Sequence, residues 1–325
     1  MEKLLSFRIR IIIGLMIWSG WTAYSFQYFL HASWGRILLL LAPLFIVPLI
    51  LKTILKIADF AENKLIQKIE FRILLPAIFF AVSFLFEKGF LAALFSAPWL
   101  IMTVLIAWAG WKTGYFFNQK NNTAKHAIGA GMIYLLVGGV WAFIDRIGWR
   151  PLAYDPEIVF LTVAHFHYAG FVLPIVAGFV FNELKDTFSK IVVYGIISGV
   201  LLVAAGIVFT QLGYGPNLES IAAWWLALSA ILLAFLQIKI SINKSGKILA
   251  AICWSLGSVA LVGGMILAGL YGMRHVFPIP NLDIPMMRFL HGSANVLGFA
   301  MFSVLGWFFY FRERKLKTEI TFYQK

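Results

Sequence analysis

Apolar stretches alternate with short polar connections along almost the whole chain. Most stretches approach or exceed the ~20 residues that an α-helix needs to cross the hydrocarbon core of a bilayer. The pattern therefore predicts an all-α, polytopic bundle of about ten membrane-spanning helices, forming a single transmembrane domain over residues 1–325. The predicted spans are 11–30, 37–51, 73–87, 90–111, 126–145, 157–181, 191–212, 219–238, 248–272 and 287–311.

Two regions of this pattern allow a second interpretation. The spans 73–87 and 90–111 are joined by the tight turn Glu87-Lys88-Gly89, and the pair could instead form a re-entrant hairpin. The connection 52–72 mixes Ile, Leu and Phe with Lys and Glu. This mixture predicts an amphipathic segment on the cytoplasmic surface.

Composition excludes a soluble protein. The chain is 61% hydrophobic and 13% charged, whereas a soluble domain has roughly a quarter of its residues charged. The single cysteine, Cys253, excludes an intramolecular disulfide and a paired-cysteine metal motif.

The basic residues predict the topology. Of the 27 Lys and Arg residues, 21 lie on one side of the predicted spans and 6 on the other. Cytoplasmic loops carry the excess of Lys and Arg, so both termini are predicted to be cytoplasmic. The net charge of +13 is spread over loops and the tail, so we predict the lipid bilayer as partner and no nucleic acid.

Polar residues inside a bilayer are costly and mark functional candidates. In this chain they concentrate toward the predicted outer side. The candidate ligands are His165, His167 and His291. The candidate polar residues of a shared pocket are Tyr168, Asn295, Asp145, Arg146, Glu157, Arg288 and His275.

The sixth and tenth spans resemble each other in direction and flanking sequence. Each begins with an acidic residue and a proline and continues to a histidine. By helical rise, His165 lies roughly 13 Å below Pro156, and His291 roughly 9 Å below Pro285. Residues 165 and 167 point ~200° apart on an ideal helix, so the helix could offer a ligand to each of two neighbouring sites, or use one histidine while the other packs. We predict that the two spans touch and that His291 lies within about 8 Å of His165 or His167.

Three interpretations of the histidines remain open at this stage. They could bind a metal or haem, line a polar pocket for substrate or protons, or make structural hydrogen bonds. Asp145, Arg146, Glu157 and Arg288 are predicted to rim the pocket. The alternative for Asp145 and Arg146 is an ion pair that anchors the end of a span. No catalytic residue is assigned.

The segment from Val163 to Tyr168 resembles the tenth helix of the large subunit of haem-copper oxidases. This resemblance implies that His165 would bind one haem, and that His167 and His291 would bind another as a bis-histidine pair. The His-Pro-Glu and His-His copper motifs of that family have no counterpart in this sequence. Oxygen reduction is therefore not implied.

A second resemblance covers more of the chain. The motif His-Phe-His-Tyr-Ala-Gly-Phe at 165–171, followed by Arg-x-x-His-Gly-x-x-Asn-x-x-Gly-Phe at 288–299, is similar to the YndJ-like family of bacterial membrane proteins. It implies a multi-pass protein of the bacterial plasma membrane with no established reaction. The function hypotheses are a redox or sensor protein that holds haem or a metal, and a secondary transporter that uses the same pocket.

Overall fold

A computed structural model describes residues 6–28, 34–113, 122–215 and 217–323. Helices account for the regular structure of these residues, and no strand occurs among them. Within these described ranges, nine helical stretches are long and apolar enough to cross a membrane: Phe7–Gln27, Trp34–Ile54, Phe90–Lys112, Thr123–Ile147, Pro156–Leu184, Thr187–Gln211, Asn217–Asn243, Ile248–Gly272 and Ile284–Glu313. The predicted all-α polytopic bundle is confirmed.

The helices are numbered in chain order. They are α1 Phe7–Tyr28, α2 Trp34–Leu41, α3 Val47–Ile54, α4 Lys64–Arg72, α5 Leu74–Ser83, α6 Phe90–Thr113, α7 Thr123–Ile147, α8 Pro156–His165, α9 Leu173–Leu184, α10 Thr187–Gln211, α11 Asn217–Asn243, α12 Ile248–Gly272, α13 Ile284–Ser293 and α14 Met301–Tyr323.

The predicted third span falls on α5, which has ten residues. It continues α4 across Ile73, whose backbone is helical at φ −64° and ψ −28°. The break has a local cause, since Pro76 has no N–H to donate to the carbonyl of Arg72. Helix α4 lies in the predicted surface segment 52–72, and its Glu70 is buried and paired with Arg10. One face of that segment therefore packs into the bundle.

Three of the spanning stretches contain a π-helical segment near their middle. The segments are Ala42–Ile46 between α2 and α3, Phe166–Val172 between α8 and α9, and Ala294–Ala300 between α13 and α14. A π segment accommodates an extra residue in a helix and shifts the side chains that follow it to a new face. Two of the three begin close after a candidate histidine.

The three interrupted stretches pack against one another. The hydroxyl of Tyr168 donates to the carbonyl of Leu38 at 2.5 Å, and the indole N–H of Trp34 donates to the Ser293 hydroxyl at 3.0 Å. In the apolar 18-residue window of Trp34–Ile54, 94% of the residues are buried inside the protein, whereas the share for Phe7–Gln27 is 17%. The stretch Trp34–Ile54 therefore lies at the centre of the bundle, and α1 lies at its edge.

Candidate functional site

The rings of His165 and His291 are in contact. Their centroids are 6.2 Å apart, and their planes differ by 25°. His165 is the last residue of α8, and His291 lies in the last turn of α13. The predicted contact between the sixth and tenth spans is confirmed. We call these two residues the histidine pair.

Hydrogen bonds fix the tautomer of both rings in the histidine pair. His165 Nδ1 lies 2.8 Å from the Leu161 carbonyl oxygen, and His291 Nδ1 lies 2.8 Å from the Gly264 carbonyl oxygen. A carbonyl can only accept, so each Nδ1 carries the hydrogen and donates it. In a neutral imidazole the other nitrogen, Nε2, then holds a lone pair.

These Nε2 lone pairs are available. Among the described residues, none donates a hydrogen bond to His165 Nε2, and the His165 side chain is exposed. His291 is half-buried, and the Asn295 side-chain nitrogen lies 3.5 Å from its Nε2, which is at the limit for a hydrogen bond. The pair therefore offers two neutral nitrogen ligands.

Asn295 adds an oxygen beside the pair. Its side-chain nitrogen donates to the His291 carbonyl at 2.9 Å. Its side-chain oxygen is buried without a hydrogen-bond partner. Gly264 allows this approach, since a Cβ there would lie 2.5 Å from the Asn295 nitrogen. A buried acceptor without a donor is costly, and a bound ion or water would satisfy it.

The predicted rim residues divide into two groups. Arg288 and Glu157 form an ion pair between α13 and α8, one turn and two turns before the respective histidines. This ion pair joins the two helices that carry the histidine pair. Asp145 and Arg146 have other partners, because Lys88 Nζ contacts Asp145 at 2.6 Å and the Arg146 guanidinium lies over the Phe84 ring. In the described ranges no contact joins these two residues to the histidine pair.

Two further candidates do not join the pair. His275 is exposed in the turn that follows α12. Tyr168 is buried, and its hydroxyl is bonded to Leu38. That phenol contributes to the contact between the second and sixth spans and does not line the site.

His167 is fully buried, and both of its ring nitrogens are engaged. Nδ1 lies 2.8 Å from the Val163 carbonyl oxygen, and Nε2 accepts a hydrogen bond from the Trp99 indole at 2.9 Å. The rings of His167, Trp99 and Phe80 form a cluster, in which the His167 centroid lies 5.8 Å from that of Trp99 and 6.4 Å from that of Phe80. This arrangement is typical of a structural core histidine.

The oxidase-like haem ligands do not fit this arrangement. The resemblance pairs His167 with His291, but His167 Nε2 is held by Trp99 and its ring contacts Gly138. The histidine that meets His291 is His165. In the described part of the chain, no group of three or more His, Cys, Asp or Glu side chains is placed to hold a metal. An ion at the histidine pair would therefore have two protein nitrogens as its main ligands.

Sequence reasoning did not find Trp99 or Gly264. Trp99 is one aromatic among many in the apolar run of α6, and Gly264 contributes its backbone carbonyl. Neither has a sequence signal that separates it from its neighbours. Both become visible only when distant segments are placed together.

Comparison with known proteins gives the family. Residues 37–299, which include the histidine pair and its surroundings, match the family model described as YndJ-like protein. The chain belongs to the YndJ-like family. The family resemblance identified from the two histidine motifs is thereby confirmed.

One YndJ-like relative is the uncharacterized membrane protein YndJ of Bacillus subtilis (strain 168). It is 27% identical over 285 residues, which are 85% of this chain and 48% of the relative. The chain thus spans about half the length of that relative. No solved structure matches. This YndJ-like chain is a multi-pass membrane protein, and its activity is a matter for proposal.

Proposed function

We propose that this YndJ-like protein binds a transition-metal ion at the histidine pair, in a redox or sensing role. The observation that supports the proposal most is the tautomer of the two rings. Each Nδ1 donates to a backbone carbonyl, which leaves the Nε2 lone pair of His165 without a donor among the described residues and that of His291 with only the 3.5 Å approach of the Asn295 nitrogen. Histidines that ligate metals usually donate their other N–H to a carbonyl or carboxylate in the same way.

The spacing of the rings suits one shared ion. Two imidazoles bound through one nitrogen each to a single ion have ring centres about 5 Å apart at a tetrahedral angle and about 6.4 Å apart in a linear arrangement, because metal–nitrogen bonds are about 2.0–2.1 Å long. The centroids of His165 and His291 are 6.2 Å apart. The orphan oxygen of Asn295 is available as a further ligand beside His291.

The charge of the site favours an ion of low charge. Both imidazoles are neutral ligands, and the nearby carboxylate of Glu157 is already paired with Arg288. A divalent ion would bring two charges into a low-dielectric region without a balancing carboxylate. Imidazole suits copper, and Cu(I) carries a single charge. We therefore expect Cu(I) to bind more tightly than Zn²⁺.

Metal titration of the full chain in detergent tests the proposal. We expect one Cu(I) per chain, measured in competition with a chromophoric Cu(I) chelator. His165→Gln and His291→Gln should each weaken binding at least about 100-fold, because even the loss of an outer-shell partner costs 10–100-fold. His275→Gln is the matched control, since it removes an exposed imidazole elsewhere. Equal affinity in all four proteins would refute the site.

A second candidate function is secondary transport, with the histidine pair as a proton site. The observation that favours it is the set of three π-interrupted stretches that pack against one another. Transporters often place their sites at interrupted helices near the middle of the membrane. Proteoliposomes with a pH-sensitive dye inside would show proton movement that His165→Gln abolishes. No proton movement, together with stoichiometric copper binding, would exclude this candidate in favour of the first.

We further propose the bacterial plasma membrane as the location, with both ends of the chain in the cytoplasm. The distribution of Lys and Arg supports this orientation. Cysteine labelling checks it in the Cys253→Ser background. A cysteine at Tyr214, between α10 and α11, should react with an impermeant reagent in intact cells. A cysteine at Ser245, between α11 and α12, should react only after the membrane is opened.

A further inference from the structure

Three basic side chains meet around Phe84 at one end of the bundle. The guanidinium carbon of Arg146 lies 4.5 Å from the centroid of the Phe84 ring, and that of Arg36 lies 5.9 Å from it. Lys88, in the turn between α5 and α6, joins them through its 2.6 Å contact with Asp145. We call Arg36, Lys88 and Arg146 the basic cluster.

The basic cluster has too few carboxylates for its charge. Asp145 is buried, and its other oxygen lies 3.7 Å from Arg146 Nε, beyond hydrogen-bond distance. Arg146 is 2% exposed, and its Nε is buried without a hydrogen-bond partner. Among the described residues, none forms an ion pair with Arg36, and Glu87 in the neighbouring turn is exposed and makes no ion pair. Three cations therefore share one buried carboxylate.

Two guanidinium groups on one ring, in a region of low dielectric, repel each other. A buried charge without a partner is strongly destabilising. A guanidinium presents a planar fork of N–H donors that matches the oxygens of a phosphate group. We propose that Arg36, Lys88 and Arg146 form a binding site for a phosphate group.

An apolar groove beside the basic cluster points to the source of that phosphate. Gly148 lines the groove and adjoins Lys88, since a Cβ on this glycine would lie 3.6 Å from Lys88 Cβ. The groove lies on the surface of the bundle formed by α6 and α7, and its volume is about 460 Å³. Its other walls include Leu100, Val140, Phe143, Ile147 and Trp149. An anionic phospholipid would place an acyl chain in this groove and its phosphate on the cluster.

Lipid binding by the delipidated full chain tests the site. Native mass spectrometry in neutral detergent would count bound phosphatidylglycerol, with phosphatidylcholine as the zwitterionic comparison and inorganic phosphate as the soluble one. Arg36→Gln is the main variant, because no described residue forms an ion pair with Arg36 whose loss would unfold the protein. Arg150→Gln is the matched control, since Arg150 is exposed in the connection that follows α7. Arg146→Gln serves as a second variant if it folds.

We expect one tightly bound phosphatidylglycerol in the wild type and in Arg150→Gln, and at least tenfold weaker binding in Arg36→Gln. Inorganic phosphate that binds with the same dependence on Arg36, while the lipid does not, would keep the site and assign it to a free anion. Equal binding of lipid and phosphate by wild type and Arg36→Gln would overturn the proposal.

Discussion

His165 and His167 are two residues apart, yet they occupy regions of opposite character. His165 is exposed and meets a second imidazole, with its Nε2 unused. His167 is fully buried beside Trp99 and Phe80, with both nitrogens bonded. Both Nδ1 atoms bond the carbonyl four residues earlier, so this backbone bond does not distinguish them. The two residues differ at Nε2, which accepts a hydrogen bond from Trp99 in His167 and has no donor among the described residues in His165.

The comparison shows how to separate functional from structural histidines in a membrane. A buried imidazole with two partners has no nitrogen left for a ligand, whatever its motif resembles. An imidazole with one fixed nitrogen and one free nitrogen is held ready to bind. By the same test His291 is a functional histidine, because the Gly264 carbonyl holds its Nδ1.

The largest loss of stability is expected from removing the buried ring of His167. His167→Ala should lower the stability of the protein by about 2–4 kcal/mol, because it leaves a cavity and an unpaired Trp99 N–H. His165→Ala should cost less than about 1 kcal/mol, since this side chain is exposed. Thermal unfolding of the two variants in the same detergent measures the difference. Similar losses for both would remove the distinction between the two histidines.

Substitutions at two glycines perturb the surroundings of His167 and of the histidine pair separately. A Cβ at Gly138 would lie 2.8 Å from His167 Nδ1, and one at Gly264 would lie 2.5 Å from the Asn295 nitrogen. Gly138→Ala should therefore cost about 1–3 kcal/mol of stability by overpacking. Gly264→Ala should mainly weaken copper binding, by about tenfold. Unfolding and Cu(I) titration of both variants check this, and the reverse assignment of effects would contradict it.

Trp99→Phe removes one hydrogen bond and keeps the aromatic packing. We expect a loss of about 1–2 kcal/mol, because His167 Nε2 is left as a buried acceptor without a donor. Copper affinity should not change, since Trp99 contacts His167 and not the histidine pair. A variant that loses copper affinity while keeping its thermal stability would place His167 in the ligand site.

The smallest effect, a change in the rate of cation binding, is expected at the ion pair between Glu157 and Arg288. Glu157→Gln removes the negative charge that neutralises Arg288 between the two histidine helices. The remaining positive charge should slow cation entry about two- to fivefold at low salt, and salt should reduce the effect. Stopped-flow binding measures it, with Glu87→Gln as the exposed control. An unchanged rate would mean that ions reach the pair by another path.

The sequence predicted the fold because most apolar runs are long enough to cross the bilayer core. It did not predict the break between α4 and α5, since Pro76 lies inside an apolar run. The contact between His165 and His291 could be predicted from matched depth, which follows from helical rise, and from matched direction, which follows from the order of the spans. The environment of His167 could not be predicted, because Trp99 is 68 positions away in the chain. The π segments also shift helix faces without a sequence signal.

X-ray absorption spectroscopy of the copper-loaded full chain tests the central claim most directly. The outer-shell scattering of imidazole rings counts the histidines bound to the metal. We predict two imidazoles in the wild type, at metal–nitrogen distances of about 2.0 Å, and two in His275→Gln. His165→Gln and His291→Gln should each show one imidazole or no bound metal. A wild-type spectrum without imidazole ligands, or two imidazoles remaining in either variant of the pair, would contradict the account.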